Sequence, residues 1–428
     1  MFVAATSGLA KNTSYKVVLP FYFYAALCFL FAAILVVFSP TAFTQHYFHP
    51  RTLTITHAMA LGWGTMMILG ASHQLVPVLI EGKLYSNFLA YCSFFTAAVG
   101  IPLLLYGFYN FDFSFYAKTG AILINLAIIF YLVNLGVSMA MSKKENVHAI
   151  FVFTAALWLL ITTLLGLLLL YNFTANILTN DSLYYLPVHA HIGIIGWFLL
   201  MVMGVGSRLI PLFLISKYHN EKMLWWIFGL INLALIFFIF NFLFSVSPFI
   251  NFISVLFISI AIGMFVYYCR KSYQQRLRRK VDDQLSISLL SVAMMAIPVI
   301  LSIAIIILSF YFVENNRVVL AYGFCIFFGW ITAIIFGMTF KTLPFILWNK
   351  TYHHKSALQK TPNPKDLFSN RIFDIMGILY LAGFVIFIFG IFISRIYILQ
   401  LGAICILISS ILFNINVFKM FVHKPANS

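Results

Sequence analysis

One sequence pattern occurs three times along the chain at nearly constant intervals. It consists of a Gly-Trp pair, a glycine seven residues after the tryptophan, and a proline seven residues further on. A histidine or phenylalanine stands five residues before the Gly-Trp pair. The copies are His57, Gly62, Trp63, Gly70 and Pro77; His191, Gly196, Trp197, Gly204 and Pro211; and Phe324, Gly329, Trp330, Gly337 and Pro344. Similarity at a fixed period indicates repeated structural units, each about a third of the chain here.

Long apolar runs indicate that these units lie in a lipid bilayer. The 428 residues are 63% hydrophobic and 8% charged, and many runs exceed the roughly 18 residues that mark a spanning helix. Barrel strands alternate and span about ten residues, so helices are favoured. The sequence predicts an all-α polytopic membrane protein with twelve transmembrane helices. The predicted spans are 16–40, 53–80, 87–110, 115–142, 147–172, 186–215, 222–245, 249–270, 284–312, 318–348, 371–394 and 396–421.

Twelve spans over three copies give three pseudo-symmetric four-helix units, at approximately 16–142, 147–270 and 284–421. We expect them to form a single membrane domain over residues 1–428. The motif then falls on the second helix of each unit.

The charges predict the orientation of the bundle. With both termini in the cytoplasm, only four of the 26 Lys and Arg residues face outward: Arg51, Lys118, Arg317 and Arg395. The other 22 lie on the cytoplasmic side, as the positive-inside rule requires. The rule also accounts for the net charge of +16, so we expect the partner to be the lipid bilayer and no nucleic acid. The predicted location is a bacterial-type cytoplasmic (inner) membrane.

Other protein classes fit less well. The five cysteines are isolated and form no CxxC pair or CxxCH haem-attachment motif. The ten acidic residues lie in loops or near helix ends, whereas ion-coupled carriers usually place a carboxylate within the membrane. Common carrier folds repeat as two halves, and this chain repeats in thirds. A secondary transporter is therefore disfavoured.

Three histidines are the candidate site residues. His57, His189 and His191 each lie a few residues into an inward-running helix, at similar depth, and an intramembrane histidine is a functional hypothesis by default. We expect them to form one functional cluster near the outer surface. Residues two apart on a helix point about 200° apart, so His189 and His191 are expected to face different neighbours.

Several side chains have a simpler interpretation. One alternative for a single membrane histidine is a structural role, in which the ring hydrogen-bonds a neighbouring helix and binds no metal. His73, about 24 Å deeper than His57, is interpreted as an interfacial cap. The motif tryptophans are interpreted as helix packing, and the motif glycines as sites of close helix approach. Four methionines on the motif helices carry thioether sulfurs that could bind copper: Met66, Met67, Met201 and Met203. Core packing is favoured for them because they lie about ten residues from the histidines.

This arrangement resembles the haem–copper oxidase subunit I superfamily. The stretch His189-Ala-His191-Ile-Gly-Ile-Ile-Gly196-Trp197 is similar to the His-x-His helix of its C-type branch, and Arg51 to Pro77 resembles the second helix of that branch. The run from Met203 to Arg208 has a parallel in the NnrS family, membrane proteins associated with haem, copper and nitric oxide. The resemblance implies that His57 and His191 correspond to low-spin haem ligands and His189 to the proximal ligand of a second haem.

Two departures limit what the resemblance implies. The copper of that superfamily needs three histidines, including a pair on helix seven, and span 222–245 contains none. The His-x-His of the superfamily lies in the third unit, where this chain has Tyr322 and Phe324. An oxygen-reducing, proton-pumping oxidase is therefore disfavoured.

The leading functional hypothesis is a haem-binding membrane protein of respiratory or nitric-oxide-related redox metabolism. Its cofactor would be haem b, with copper as the alternative metal held by the same histidines. Its partners would be other respiratory subunits or an electron donor, and any enzymatic activity would be that of an oxidoreductase. Two alternatives remain: a haem or copper carrier or assembly protein without redox turnover, and a degenerate structural scaffold.

Overall fold

The computed structural model of the protein describes residues 13–142, 146–247, 249–278, 280–311, 315–352 and 361–424. These residues form twelve helices long and apolar enough to cross a membrane. They are α1 (Tyr15–Phe38), α2 (Pro50–Leu79), α3 (Asn87–Asn110), α4 (Phe115–Ala140), α5 (Val147–Ala175), α6 (Ser182–Leu214), α7 (Glu221–Phe244), α8 (Phe249–Gln274), α9 (Asp283–Phe310), α10 (Asn316–Tyr352), α11 (Asn370–Ile393) and α12 (Ile396–Phe421).

The predicted all-α fold with twelve spanning helices is confirmed, and the helix bounds differ from the predicted spans by a few residues. Polar caps explain the largest difference at a helix start. Helix α6 begins at Ser182, four residues before the predicted span, because the Asp181 carboxylate accepts a hydrogen bond from the Tyr184 backbone N–H at 2.9 Å. Asn220 caps α7 through the Met223 N–H at 3.0 Å. The apolar runs predict where the spans lie, but they do not reveal the polar residues that cap a helix and extend its first turn.

The three motif helices share a local distortion. In each one, a π-helical segment begins directly after the first motif residue: Ala58–Thr65 after His57, Ile192–Leu199 after His191, and Cys325–Ile331 after Phe324. A π-helix is rare, and in other proteins it often marks a functional position. The sequence repeat therefore has a structural counterpart, because all three motif helices change conformation at the equivalent residue.

The chain divides into two compact units. Unit A comprises the described residues of Met1–Ser14, Ser72–Val281 and Met295–Asn315, and unit B those of Tyr15–Ala71, Asp282–Met294 and Asn316–Ser428. Unit A thus contains α3 to α8 with the ends of α2 and α9. Unit B contains α1 and α10 to α12 with the starts of α2 and α9.

The second motif glycine brings two helices together in every copy. A Cβ atom on Gly70 would lie 2.6 Å from Phe21 Cβ on α1. A Cβ atom on Gly204 would meet Phe151 on α5 even more closely, and one on Gly337 would collide with Ser288 and the Gln284 carbonyl on α9. Helices α1, α5 and α9 therefore approach their motif helices at a glycine, as the sequence predicted.

The motif tryptophans are packing residues, as expected from the sequence. Trp63, Trp197 and Trp330 are all buried. In unit B, the Trp63 indole stacks on Phe29 with ring centroids 4.7 Å apart and donates a hydrogen bond to Thr332 Oγ1 at 3.1 Å. The indole N–H is thereby satisfied inside the bundle.

Candidate metal-ligating histidines

His57 closes the first α-helical segment of α2. That helix begins at Pro50 because His49 Nδ1 accepts a hydrogen bond from the Arg51 backbone N–H at 3.2 Å. Partial burial, and secondarily the Arg51 charge, lowers the pKa of His49, which keeps that ring neutral and able to accept. Eight residues further, the π-helical segment starts directly after His57.

One hydrogen bond fixes the protonation of the His57 ring. His57 Nδ1 lies 2.9 Å from the Leu53 carbonyl oxygen, four residues earlier. A carbonyl oxygen can only accept, so Nδ1 carries the proton. In the neutral ring, the lone pair is then on Nε2, the nitrogen that a metal would bind.

His191 repeats this arrangement in unit A. Its Nδ1 lies 2.7 Å from the carbonyl oxygen of Pro187, again four residues earlier and again directly before a π-helical segment. Metal-ligating histidines usually donate their second ring N–H in this way, which fixes the tautomer and the orientation of the ring. His57 and His191 therefore share the chemistry of metal ligands, each within its own unit.

His189 and His191 have different neighbours, which confirms the sequence prediction. His191 packs against Phe238 on α7, with ring centroids 5.0 Å apart. His189 Nδ1 lies 3.1 Å from the Thr162 carbonyl oxygen on α5. The His189 ring lies over Gly166, where a Cβ atom would be only 2.9 Å from His189 Cε1. A glycine on α5 therefore makes room for this ring.

The third copy is filled with aromatic rings instead. Phe324 stacks on Phe387, Phe328 and Phe384 at centroid distances of 4.4, 4.9 and 5.9 Å, and Phe43 meets it edge-on at 6.2 Å. Phe324 is only 3% exposed. A position that carries a histidine in two copies is thus part of the apolar core of unit B.

The structure brings His189 and His191 into unit A and His57 into unit B. Among the described residues, no group of three or more His, Cys, Asp or Glu side chains is arranged to hold a metal ion. A haem iron takes only one or two ligands from the protein, so single well-oriented histidines are the relevant feature here.

Two other histidines are buried. His73 is only 1% exposed and packs edge-on against Tyr131 at 5.4 Å, so its side chain lies inside unit A, and its interpretation as an interfacial cap stays a prediction. His148, to which the sequence assigned no role, is buried with Nδ1 2.9 Å from Ser207 Oγ and 3.2 Å from the Gly204 carbonyl on α6. His148 lies two residues after the N-cap Asn146, and no local pattern indicates its contact with Ser207, 59 positions away.

The motif-helix methionines are core residues. Met66, Met67, Met201 and Met203 are all buried, with at most 4% exposure. The sulfur of Met67 accepts a hydrogen bond from Thr339 Oγ1 at 3.7 Å in unit B. Packing, the interpretation favoured by the sequence, accounts for them.

Comparison with known proteins gives a structural likeness without a sequence match. No family model and no curated protein matches the chain. A solved haem–copper terminal oxidase dimer is similar in structure, with a TM-score of 0.66 at 9% sequence identity, over 97% of this chain and 86% of that one. At this identity the likeness concerns the fold alone. The chain therefore has an all-helical membrane fold similar to that of a haem–copper terminal oxidase.

Proposed function

We propose that the chain is a haem-binding integral membrane protein of the haem–copper oxidase subunit I superfamily, acting in respiratory or nitric-oxide-related redox metabolism. Its resident cofactor is haem b, for which His57 in unit B and His191 in unit A are each candidate iron ligands, and it lacks a complete oxygen-reduction site. NnrS-like proteins are the functional parallel that its sequence offers. The protein lies in a bacterial inner membrane with both termini in the cytoplasm and works with an electron donor or other respiratory subunits.

The observation that carries this proposal is the shared chemistry of His57 and His191. Each ring donates Nδ1–H to the carbonyl four residues earlier, at 2.9 Å and 2.7 Å, and each stands directly before a π-helical segment. The π-helical segment also follows Phe324 in the third copy, so the feature specific to the histidines is the donated Nδ1–H, which leaves Nε2 of each neutral ring available to a metal. The oxidase-like fold adds independent support.

The residues present fit a haem. Neutral imidazole with an oriented Nε2 is the axial ligand that six-coordinate b-type centres use. When bound, such a haem supplies reversible one-electron transfer at its iron. The Leu53 and Pro187 carbonyls hold the two rings in the required tautomer. Phe238 packs against the His191 ring, with ring centroids 5.0 Å apart.

His189 is proposed as the proximal ligand of a second haem. The Thr162 carbonyl lies 3.1 Å from Nδ1 and fixes the tautomer, and Gly166 makes room for the ring in this position. The same oriented nitrogens would also bind copper, which is the alternative cofactor and the basis of a carrier or assembly function.

An optical spectrum of the purified protein, with iron and copper analysis, tests the proposal. We expect a Soret band and a reducible α band of b-type haem, with iron in excess of copper. Copper without haem would contradict haem binding and support the carrier function. A protein that retains neither metal after haem reconstitution would be a structural scaffold.

A further inference from the structure

We propose that a groove on unit B binds a phospholipid whose head group carries a primary ammonium, such as phosphatidylethanolamine. This site is separate from the histidines and does not depend on the function proposed for them. The groove has a cavity volume of about 230 Å³ and lies between the start of α9 and the start of α11. Its walls include the apolar side chains of Ile287, Leu290, Ile378 and Leu381, and Asp283 and Asp374 also line it.

The apolar part of the groove opens on the surface of unit B. Ile378 is 68% exposed and Leu290 37% exposed, on helices that have the composition of membrane spans. At 1.5 Å per residue, the groove wall from Asp283 to Leu290 is about 10 Å long. An occupant that reaches this surface from the bilayer is therefore apolar over about that length, as the upper part of an acyl chain is.

The charges of the groove lie at one end. Asp283 is the first residue of α9 and Asp374 the fifth of α11, and both are exposed. Their negative charges repel one another. The nearby Lys341 pairs with Asp282 instead, and among the described residues neither Asp283 nor Asp374 forms an ion pair. The two carboxylates place like charges at one end of an apolar groove, so a cation from the bilayer would stabilise them.

Buried aromatic side chains form the base of the groove. Phe373 and Tyr380 line its base and are 1% and 2% exposed. The Tyr380 hydroxyl donates to the Gly329 carbonyl at 2.7 Å, which holds the ring in place. Gly377 contributes no side chain, and a Cβ atom there would lie 3.4 Å from Ile287 Cδ1. A larger residue at 377 would therefore fill the space that the lipid needs.

The chemistry favours a primary ammonium over other head groups. It has three N–H donors and a compact positive charge, and two carboxylates accept such donors in short charge-assisted hydrogen bonds. A choline head group has the charge but no N–H donor. The glycerol head group of an anionic lipid brings no cation to balance its phosphate, so its net negative charge would be repelled by both carboxylates.

Native mass spectrometry of the full chain in detergent tests the preference. The probes are phosphatidylethanolamine, phosphatidylcholine and phosphatidylglycerol with identical acyl chains. We expect the ethanolamine lipid to bind most tightly. The double variant Asp283→Asn, Asp374→Asn should weaken it about tenfold, as expected for the loss of charge-assisted bonds. Binding of the choline lipid should change little, and the surface variant Asp112→Asn should bind like the parent chain.

A second variant tests the apolar groove. Gly377→Leu should remove binding of the ethanolamine lipid, whereas Gly229→Leu on α7, where a Cβ would meet nothing within 4 Å, should not. Equal affinity for ethanolamine and choline lipids, or no effect of the double variant, would overturn the proposal. Retention of an isoprenoid quinone in place of the phospholipid, lost in Gly377→Leu, would also overturn it.

Discussion

At the scale of single residues, hydrogen bonds decide which histidine nitrogen is offered to a metal. A carbonyl four residues earlier fixes the proton of His57 and of His191 on Nδ1. The arrangement is local to one helical turn, so it survives in any context in which the helix forms. His189 instead depends on a carbonyl of another helix, and its orientation is set by the packing of α5 on α6.

His57→Ala and His191→Ala should each lower bound haem. If these histidines hold haem iron, each variant would lose an iron ligand, and we expect haem per protein to fall roughly tenfold or more, the scale on which even the outer partners of metal ligands act. The measurement is the reduced-minus-oxidised spectrum, normalised to protein. Added imidazole should restore part of the signal because it replaces the missing ligand.

Two further histidines serve as controls for these variants. His46→Ala changes an exposed side chain and should leave the haem signal unchanged. His73→Ala should also leave it largely intact, although the buried ring packs on Tyr131 and its loss will lower stability. If His73→Ala alone removed the signal, the assignment of His57 and His191 would be wrong.

Gly166→Ala tests His189 without changing it. The added Cβ would lie 2.9 Å from His189 Cε1, so the ring must turn away from its present position. If His189 binds iron, the spectrum should shift in the same direction as in His189→Ala. Gly263→Ala, where a Cβ meets nothing within 4 Å, is the matched control. A normal spectrum in Gly166→Ala beside a changed one in His189→Ala would show that the ring tolerates the shift.

At the scale of helices, the second motif glycine should contribute to stability in all three copies. Gly70→Ala and Gly204→Ala place a methyl group against Phe21 and Phe151, close to the neighbouring backbone where little can move. Overpacking of this kind costs about 1–3 kcal/mol. Unfolding midpoints in a graded denaturing detergent should fall accordingly.

Gly229→Ala and Gly263→Ala supply the comparison, because a Cβ at either position has open space. Alanine is the better helix former by about 1 kcal/mol, so these two variants should be neutral or slightly more stable. Destabilisation of all four variants to the same extent would mean that the motif glycines have no special contact.

The sequence predicted the helices well and their local distortions not at all. Apolar runs and the repeated glycines and tryptophans are properties of composition and spacing, and both had the structural outcome expected of them. A π-helical segment depends on a shift of backbone hydrogen bonds, for which residues such as Ile192–Leu199 give no separate signal. The pairing of His148 with Ser207 depends on contacts between residues 59 positions apart, which no local pattern reveals.

At the scale of the whole molecule, we predict little or no oxygen reduction by this chain alone. Copper beside a haem iron would need about three nitrogen ligands, and α7 carries no histidine. Use of His57, His189 and His191 for copper would leave the haem without axial ligands. In vesicles with an artificial electron donor, the haem should be reduced without sustained oxygen uptake. Rapid uptake with external acidification by the isolated polypeptide would contradict the proposed function.

The charge distribution predicts the orientation of the whole bundle. The prediction rests on the 22 Lys and Arg residues assigned to the cytoplasmic side of the membrane, against four on the outside. A reporter fused at Asn180, in the loop between α5 and α6, should be outside, and one at Lys83, between α2 and α3, should be cytoplasmic. Fusions at Lys144 and Arg279, which lie outside the described residues, should also be cytoplasmic.

Because adjacent loops must alternate across twelve spans, a cytoplasmic reporter at Asn180 with an external one at Lys83 would show that the orientation is the reverse of the predicted one. The histidines would then lie near the cytoplasmic surface.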